Sequence, residues 1–419
     1  YAINFLWAPL IDRIKIPYLT NKIGHRKSWI ISMQSLIFLS LLSWSFLNPN
    51  ENLFLIIAVG LGIAISSATQ DITIDALRIE QIGEDEGKTM AAAAAIQVVG
   101  WWTGYKIGGV ISLMSAELFQ QKGIENYWQM SFVLLALIVV ISSIALLFVP
   151  EKNSTLRVSL QQQNDQRILD KFKIKNKLSQ ILTWIYGTIF NPLVSFFKKN
   201  SFSVAVGLLS FIFLFKIGEA FLGRMSVVFY DDIGFSKSDI AIYSKGFGWI
   251  TTVVFTFIGG WFAVRSGIVR ALFLSGLFMA LTNLMFSNMA WNDFFGITIF
   301  FSTLRDIFIE LEIFNRLFFI FNFLSSDKGL FAISVLLDDI AAAFATVAFV
   351  TFISLLVDRT YTATQYALLA SIGTFGRTTL ASTSGQMVDG LGGDWGIFFI
   401  ITALMVIPSL ILLWFIRNK

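Results

Sequence analysis

The chain has 419 residues, of which 56% are hydrophobic and 14% are charged, and its formal net charge is +4. Because soluble domains carry roughly 25% charged residues, this composition excludes a water-soluble globular protein and requires lipid around the fold. Cysteine is absent and histidine occurs once, as His25, which excludes disulfides, thiolate metal sites and clusters of histidine ligands. We therefore expect an all-α membrane protein that holds no cofactor.

Ten stretches are long and apolar enough to cross a bilayer, since a membrane helix needs about 20 apolar residues. They follow a partial apolar stretch at 1–10 and lie near 28–47, 53–77, 89–114, 128–149, 202–230, 239–263, 268–288, 329–357, 362–388 and 395–416. Because Tyr1 is not an initiator Met and its neighbours are already apolar, we expect the first span and the start of the second to be missing. The expected protein has six spans on each side of a linker, as an incomplete N-terminal bundle (1–150), a linker (151–200) and a C-terminal bundle (201–419).

Lys and Arg are concentrated in one set of alternate loops, which includes residues 11–27, the segment 151–199 and the C-terminus. Loops rich in Lys and Arg stay in the cytoplasm. We therefore expect a multi-pass protein with a basic cytoplasmic linker and a cytoplasmic C-terminus.

Two segments interrupt the regular pattern of spans. In the linker, the four lysines either lie near anionic headgroups or are simply solvated, and the sequence leaves both readings open: Lys171, Lys173, Lys175 and Lys177. Residues 294–325 place apolar side chains on one helical arc and charges on the other, with Glu312 and Arg316 at i,i+4. This pattern predicts an amphipathic helix at the outer interface, because five charges at the bilayer centre are costly.

Charged side chains within the spans are the candidates for function, because burying them in lipid is costly. Asp71 and Asp75 lie one helical turn apart, and Arg78 follows. For Asp75 a packing or gating salt bridge is favoured, whereas for Asp71 a structural and a functional role are equally open. In the next span, Lys106 lies deep enough to require a wet cavity or a carboxylate, and it shares a face with Trp102.

The second half carries a further set of charges within apolar segments. Lys216 and Glu219 are spaced i,i+3, so that mutual neutralisation and a functional role are both open. Asp338 and Asp339 lie in mid-span, where apolar surroundings favour the neutral carboxyl form that suits a proton carrier. Together with Arg377, the Lys and Arg residues of both halves could form a site for an anionic solute. Trp101 and Trp102 could stack on sugar rings, although membrane aromatics more often pack or anchor at the interface.

The chain lacks the motifs of the common enzyme classes. It has no Gly-rich phosphate loop followed by Lys-Ser/Thr, no nucleophile elbow and no metal-binding helix. The sequence therefore predicts neither ATP-driven transport nor an enzyme.

The loop DRIKIPYLTNKIGHRK at 12–27 resembles the cytoplasmic signature of major facilitator transporters, and GGWFAVRSGIVRAL at 259–272 is similar to its weaker second copy. This resemblance implies two six-helix bundles that rock about a central site. Within that superfamily, four segments resemble the AmpG-type muropeptide permeases: FLWAPLIDR (5–13), ATQDITIDALRIE (68–80), FKIGEAF (215–221) and TATQYALLASIGTFGR (362–377).

That family resemblance implies a monomeric, proton-coupled importer in the bacterial inner membrane. Its substrate would be GlcNAc–anhydroMurNAc, with or without a stem peptide, for cell-wall recycling, and no nucleic acid would be a partner. The predicted residues fall into three groups. Proton coupling is assigned to Asp71, Glu219 and Asp338. Substrate binding is assigned to Gln70, Trp101, Trp102, Lys106, Lys216, Gln365 and Arg377. The cytoplasmic gate is assigned to Asp12, Arg13, Arg26, Lys27, Asp75 and Arg78.

Three departures from the family pattern affect the substrate assignment. Trp101 and Trp102 replace the usual aromatic–Arg pair, the segment 294–325 is additional, and two C-terminal spans found in some members are absent. The alternatives are a carrier for another solute, such as acetyl-CoA, a peptide or a sugar, and a membrane scaffold or sensor that transports nothing.

Overall fold

The computed structural model describes residues 3–48, 51–83, 85–151, 155–172, 177–310 and 318–417, and these residues form helices and connecting turns without a strand. The predicted all-α class is therefore confirmed. The α-helices are α1 (Ala8–Arg13), α2 (Leu19–Ile23), α3 (His25–Trp44), α4 (Leu53–Gln81), α5 (Gly87–Gln121), α6 (Tyr127–Leu147), α7 (Thr155–Phe172), α8 (Lys177–Lys199), α9 (Phe202–Leu214), α10 (Ile217–Asp232), α11 (Lys237–Asp239), α12 (Gly248–Ser266), α13 (Ile268–Ala290), α14 (Ile297–Glu310), α15 (Phe318–Leu324), α16 (Asp327–Leu356), α17 (Thr362–Ala381), α18 (Ser384–Gly390), α19 (Trp395–Leu404) and α20 (Ile407–Arg417).

Within the described part of the chain, seven helical stretches are long and apolar enough to cross a membrane. They are Leu53–Gln81, Tyr127–Leu147, Phe202–Asp232, Lys237–Ser266, Ile268–Ala290, Asp327–Leu356 and Trp395–Arg417. The expected spans near 28–47, 89–114 and 362–388 also lie on long helices, namely α3, α5 and α17. The chain is therefore a multi-pass membrane protein, and the predicted division at residues 150 and 200 stays a prediction.

Contacts divide the chain into two compact units, and the first comprises Tyr1–Glu86, Thr103–Ala205 and Ile353–Ser371. In this unit α3 packs against α4 and α6, and α7 packs against α8. A small core of buried alanine and isoleucine joins α1, α4 and α17: Ala8, Ile11, Ile72, Ala76, Ala363 and Ala367. Small side chains let these helices approach closely, so that the start of α17 is held against helices from the first half of the sequence.

The second unit comprises Gly87–Trp102, Val206–Phe352 and Ile372–Lys419. Its core is rich in aromatic rings that are fully buried, including Phe229, Phe286, Phe331, Phe398 and Phe399. Helices also approach closely at glycines, because a Cβ on Gly218 would lie 2.5 Å from the carbonyl oxygen of Thr402. The helix from Lys237 to Ser266 contains a π-helical segment at Ile240–Phe247.

The inserted segment predicted near 294–325 forms two helices, α14 and α15, which pack against each other. Asp293 caps α14, because its carboxylate accepts hydrogen bonds from the backbone N–H groups of Ile297 (2.8 Å) and Thr298 (2.8 Å). Partial burial raises the pKa of Asp293, but the hydrogen bonds from Thr298, Asn288 and the backbone outweigh it and leave the pKa lowered. Glu312 and Arg316 lie outside the described residues, and the interfacial position of the insert stays a prediction.

Candidate functional site

A buried lysine in the second unit forms the centre of the candidate site. Lys216 occupies the break between α9 and α10, where two residues interrupt an otherwise continuous apolar helix. It is only 6% exposed, and its ammonium group lies 2.9 Å from Glu219 Oε2 and 2.7 Å from the hydroxyl of Thr346. Helix breaks inside a span place polar groups where only a protein-lined cavity can accept them, so this break is suited to binding a solute.

Two adjacent carboxylates on α16 point towards different helices. The Oγ1 atom of Thr282 on α13 lies 3.3 Å from Asp338 Oδ1 and donates to it. Asp339 faces α12 instead, because a Cβ on Gly248 would lie 2.6 Å from Asp339 Oδ2. The two neighbouring carboxylates therefore have different surroundings, and Asp338 is bonded to α13.

The remaining predicted substrate residues of this unit differ in exposure. Trp101 and Trp102 form an edge-to-face pair with ring centroids 5.0 Å apart. Trp102 packs against a buried cluster that includes Val98 and Val347, whereas Trp101 is 55% exposed. Arg377 is also exposed. Trp101 and Arg377 are therefore accessible to a solute, while Trp102 has a clear packing role.

In the first unit, α4 carries four of the predicted residues. Asp71 is half-buried, and neither a hydrogen bond nor an ion pair is described for its carboxylate. The Oε1 atom of Gln70 is buried without a hydrogen-bond partner in the described part of the chain. Asp75 is 2% exposed and pairs with Arg78 at 2.9 Å, and Arg78 in turn donates to Ser354 Oγ at 3.0 Å. The salt bridge favoured for Asp75 is present, and the proton-coupling role of Asp71 stays a prediction. Lys106 lies further along the chain on α5, with its ammonium 6.0 Å from the ring centroid of Tyr105.

The predicted gate residues form a buried ionic network in the same unit. The guanidinium of Arg26 is fully buried and lies 2.6 Å from Asp12 Oδ1 and 2.6 Å from Glu80 Oε1. Two carboxylates and the carbonyl oxygen of Ile11 thus share one cation. Breaking a buried pair by removing one partner costs about 3–5 kcal/mol, so this network strongly stabilises the arrangement in which it forms.

Asp12 also caps α17. Its carboxylate accepts the backbone N–H groups of Ala363 (3.1 Å) and Thr364 (2.8 Å), and the Thr364 hydroxyl donates to it at 2.6 Å. The first N–H groups of a helix have no partner within the helix, and the helix dipole favours an anion there. One carboxylate therefore joins the end of α1 to the start of α17.

Glu151, which follows α6, caps a second helix of the network. Its two carboxylate oxygens accept the backbone N–H groups of Arg26 (2.8 Å) and Lys27 (3.0 Å) at the start of α3. Gly24 has φ +103°, and a Cβ there would lie 2.3 Å from Glu151 Oε2. The Lys27 ammonium donates to the carbonyl oxygen of Val149 at 3.0 Å. The Gly-x-Arg-Lys sequence thus fits a helix start that receives an acidic cap from the end of the first half.

The last two predicted residues contact the linker. Arg13 pairs with Asp165 on α7 through two bonds of 2.7 and 3.0 Å. Gln365 is 2% exposed; it accepts the N–H of Asp358 and donates to the carbonyl oxygen of Pro192 on α8. Both polar atoms of Gln365 therefore bind backbone groups, and these contacts do not support the predicted substrate-binding role of this residue.

Sequence reasoning missed the partners that complete these interactions. Thr346, Thr282, Glu151 and Asp165 were not assigned a role, although each bonds to a predicted residue. A hydroxyl within an apolar helix and an acid at a span end are weak signals, because most such residues bond within their own helix or to water. Only the folded arrangement identifies them.

Comparison with known proteins gives a consistent result. A family model described as Major Facilitator Superfamily matches residues 2–309. The putative transporter AmpG 4 of Rickettsia felis is 32% identical over 419 residues, which cover all of this chain and 86% of that protein. The anhydromuropeptide permease of Escherichia coli (strain K12) is 26% identical, and the match covers all of this chain and 70% of that protein. The solved structure of the proton:xylose symporter XylE is similar in fold, with a TM-score of 0.57 at 14% identity, over 98% of this chain and 83% of that one.

Proposed function

Because the chain belongs to the Major Facilitator Superfamily, we propose that it is a proton-coupled importer of anhydro-muropeptides in the bacterial inner membrane. The AmpG-type resemblance and the major facilitator fold predicted from the sequence are confirmed, and the relatives are transporters and not enzymes. The substrate, the coupling ion, the cytoplasmic C-terminus and the monomeric state belong to the proposal. The observation that carries it is the pairing of Lys216 with Glu219 in a helix break within a span.

The chemistry of the substrate class matches groups of the second unit, of which Trp101 and Arg377 are exposed and Lys216 is buried. A muropeptide combines sugar rings with peptide carboxylates. The exposed face of Trp101 offers a stacking surface for a sugar ring, and Lys216 and Arg377 offer cations for carboxylates. Trp102 holds the Trp101 ring from the side, at 86° between the ring planes.

Lys216 couples binding of the anion to binding of the proton in this proposal. In the structure its charge is shared with Glu219 and its position is fixed by Thr346. When a substrate carboxylate attracts the ammonium group, the Glu219 carboxylate loses the counter-charge that it has in the structure. Glu219, Asp338 and Asp71 are the proposed proton carriers.

The network around Arg26 would act as the gate. The network joins the first half of the sequence to residues 363 and 364. Release of the substrate on the cytoplasmic side would therefore require the bonds to Asp12 to break. The pairs Asp75–Arg78 and Arg13–Asp165 add to the same closure. Lys27 is held to the end of α6 and supports the start of α3.

The experiment that tests the proposal is uptake of labelled GlcNAc–anhydroMurNAc-peptide into proteoliposomes. Uptake is measured with an imposed proton gradient, without it, and after a proton ionophore has collapsed it. We expect the muropeptide to accumulate against its own concentration gradient only when the proton gradient is imposed. We expect no competition by acetyl-CoA or by an unrelated sugar.

Three results would contradict the proposal. Equal uptake with and without the proton gradient would rule out proton coupling. Competition by acetyl-CoA would indicate a different substrate class. If correctly inserted protein takes up no wall fragment, acetyl-CoA, peptide or sugar but binds a stable partner protein, it is a scaffold or sensor and the transport proposal is wrong.

A further inference from the structure

Helix α8, at the end of the linker, carries a continuous apolar stripe that is turned away from the protein. We define the stripe by five residues spaced i, i+3, i+4, i+7 and i+11, which share one helical arc: Tyr186, Ile189, Phe190, Leu193 and Phe197. Ile189 and Phe190 are each 49% exposed, and the rings of Tyr186 and Phe190 stack at 5.2 Å. An exposed aromatic and aliphatic stripe of this length requires a cover other than water.

The opposite face of α8 is fixed to the first unit. Thr188 on this face is 3% exposed. Pro192 accepts a hydrogen bond from Gln365, and the Ser195 hydroxyl donates to Asp358. These contacts fix the rotation of the helix about its axis, so that the stripe stays on the outside.

The C-terminal end of α8 lies where a span begins. Only residues 200 and 201 separate α8 from α9, and Phe202 begins a candidate span. The ring of Phe197, the last residue of the stripe, stacks on the ring of Phe202 at 5.8 Å and 25°. The stripe therefore reaches the depth at which the chain enters the bilayer. Lys198 and Lys199, both exposed at this end, carry the charge that anionic headgroups attract.

We propose that α8 lies in the plane of the membrane surface, with its apolar stripe among the lipid acyl chains and its docked face against the protein. An amphipathic helix with aromatic residues on its apolar face and lysines at its polar edge binds in this way. The linker thus connects the lipid surface to the turn at 358–365, which α8 holds through Asp358 and Gln365. This inference is independent of which solute is transported.

The test uses the absence of cysteine from these 419 residues, because a single introduced cysteine is then the only labelling site among them. Spin labels are attached to Ile189→Cys and, separately, to Phe190→Cys, in the full protein reconstituted in vesicles of mixed anionic and zwitterionic lipid. The matched control is Gln163→Cys, an exposed position on the neighbouring linker helix α7. Collisions with oxygen report lipid, and collisions with a water-soluble nickel chelate report water.

We expect both α8 labels to collide preferentially with oxygen, at a depth of about 5–10 Å below the headgroups. The Gln163 label should collide preferentially with the nickel chelate. Equal chelate access at positions 163, 189 and 190 would show that water covers the stripe and would overturn the proposal. Spin–spin broadening at 189 and 190 that disappears on dilution with unlabelled protein would show that a second copy covers it, which also overturns the proposal. If both labelled variants melt at the temperature of the parent protein and give the same collision pattern, an artefact of a single substitution is excluded.

Discussion

The carboxylate of Asp12 accepts a hydrogen bond from the backbone N–H of Thr364, 352 positions further along the chain, at 2.8 Å. The same carboxylate pairs with Arg26. A single acidic side chain therefore neutralises a buried cation and caps a helix from the other half of the sequence.

The first prediction concerns the buried ion pair at the gate. Asp12→Asn should lower the free energy of unfolding by about 3 kcal/mol, the lower end of the cost of breaking a buried pair, because Glu80 still pairs with Arg26. Thermal unfolding in detergent measures the loss. Glu125→Gln, at an exposed acid, should change the unfolding free energy by less than about 0.5 kcal/mol. Equal melting temperatures for the two variants would show that the pair between Asp12 and Arg26 does not stabilise the protein.

The second prediction concerns the glycine before α3. Gly24→Ala should destabilise the protein, because φ is +103° and the new Cβ would collide with the Glu151 carboxylate. In a Glu151→Ala background the cap is already lost and the collision is absent. Gly24→Ala should therefore lower the melting temperature less in that background than in the parent protein. A double-mutant cycle on melting temperatures measures the difference. Gly223→Ala, where no described atom lies within 4 Å of the added Cβ, is the control, and strictly additive effects of the two changes would refute the contact.

The third prediction concerns the hydroxyl that positions Lys216. Thr346→Val should cost about 1.5–3 kcal/mol of stability, because a hydrogen bond to a charged group is lost. Thr351→Val is a close control on α16, since both threonines donate to a carbonyl four residues back but only Thr346 contacts Lys216. Thr351→Val should cost about 0.5–1.5 kcal/mol. The same loss in both variants would show that Thr346 does not position the lysine.

The fourth prediction separates coupling from binding. Asp338→Asn should abolish accumulation driven by a proton gradient, because an amide carries no exchangeable acidic proton, while membrane insertion and substrate exchange persist. Proteoliposome uptake and counterflow are measured side by side. Asp389→Asn changes an exposed carboxylate and should leave both activities unchanged. Normal accumulation by Asp338→Asn would remove this residue from the coupling mechanism.

The fifth prediction concerns the pH dependence of the inserted helix. The pKa of Asp293 is lowered in the folded state, so the ionised cap stabilises α14 above the unfolded pKa of about 3.9. This stabilisation decreases as the pH falls below that value and is lost once the pH falls through the lower folded pKa. Hydrogen exchange of residues 297–300, corrected for intrinsic rates, should therefore increase in acid. In Asp293→Asn the corrected rates should not depend on pH, and an unchanged acid response in that variant would rule out Asp293 as its source.

The gate shows how far residue patterns predict contacts. Asp12, Arg26, Asp75 and Arg78 were all assigned to it from the sequence, and the salt bridge favoured for Asp75 is present, with Arg78 as partner. The pairing of Asp12 with Arg26 was not predicted. The pattern works because buried charges need partners. It does not identify the partner when the partner is distant in sequence, and Thr364 and Glu151 were therefore missed.

Gln365 shows where residue type is not sufficient. Its place in a family-like segment predicts a substrate contact, which stays a prediction, and in the structure its buried amide bonds to backbone groups of Pro192 and Asp358. A side-chain amide serves equally well for a solute and for a backbone group, so residue type alone does not distinguish the two roles.

The sequence by itself determined the helical, multi-pass character of this protein, because hydrophobicity along the chain reports directly on which segments prefer lipid. It also determined which charged residues stand out, since charges in apolar segments are costly wherever they lie. Only the tertiary structure decided that Lys216 is shared between Glu219 and Thr346, that Asp338 and Asp339 face different helices, and that α8 is docked on one face. Those features depend on side-chain directions and on contacts between distant segments, and a linear pattern does not encode them.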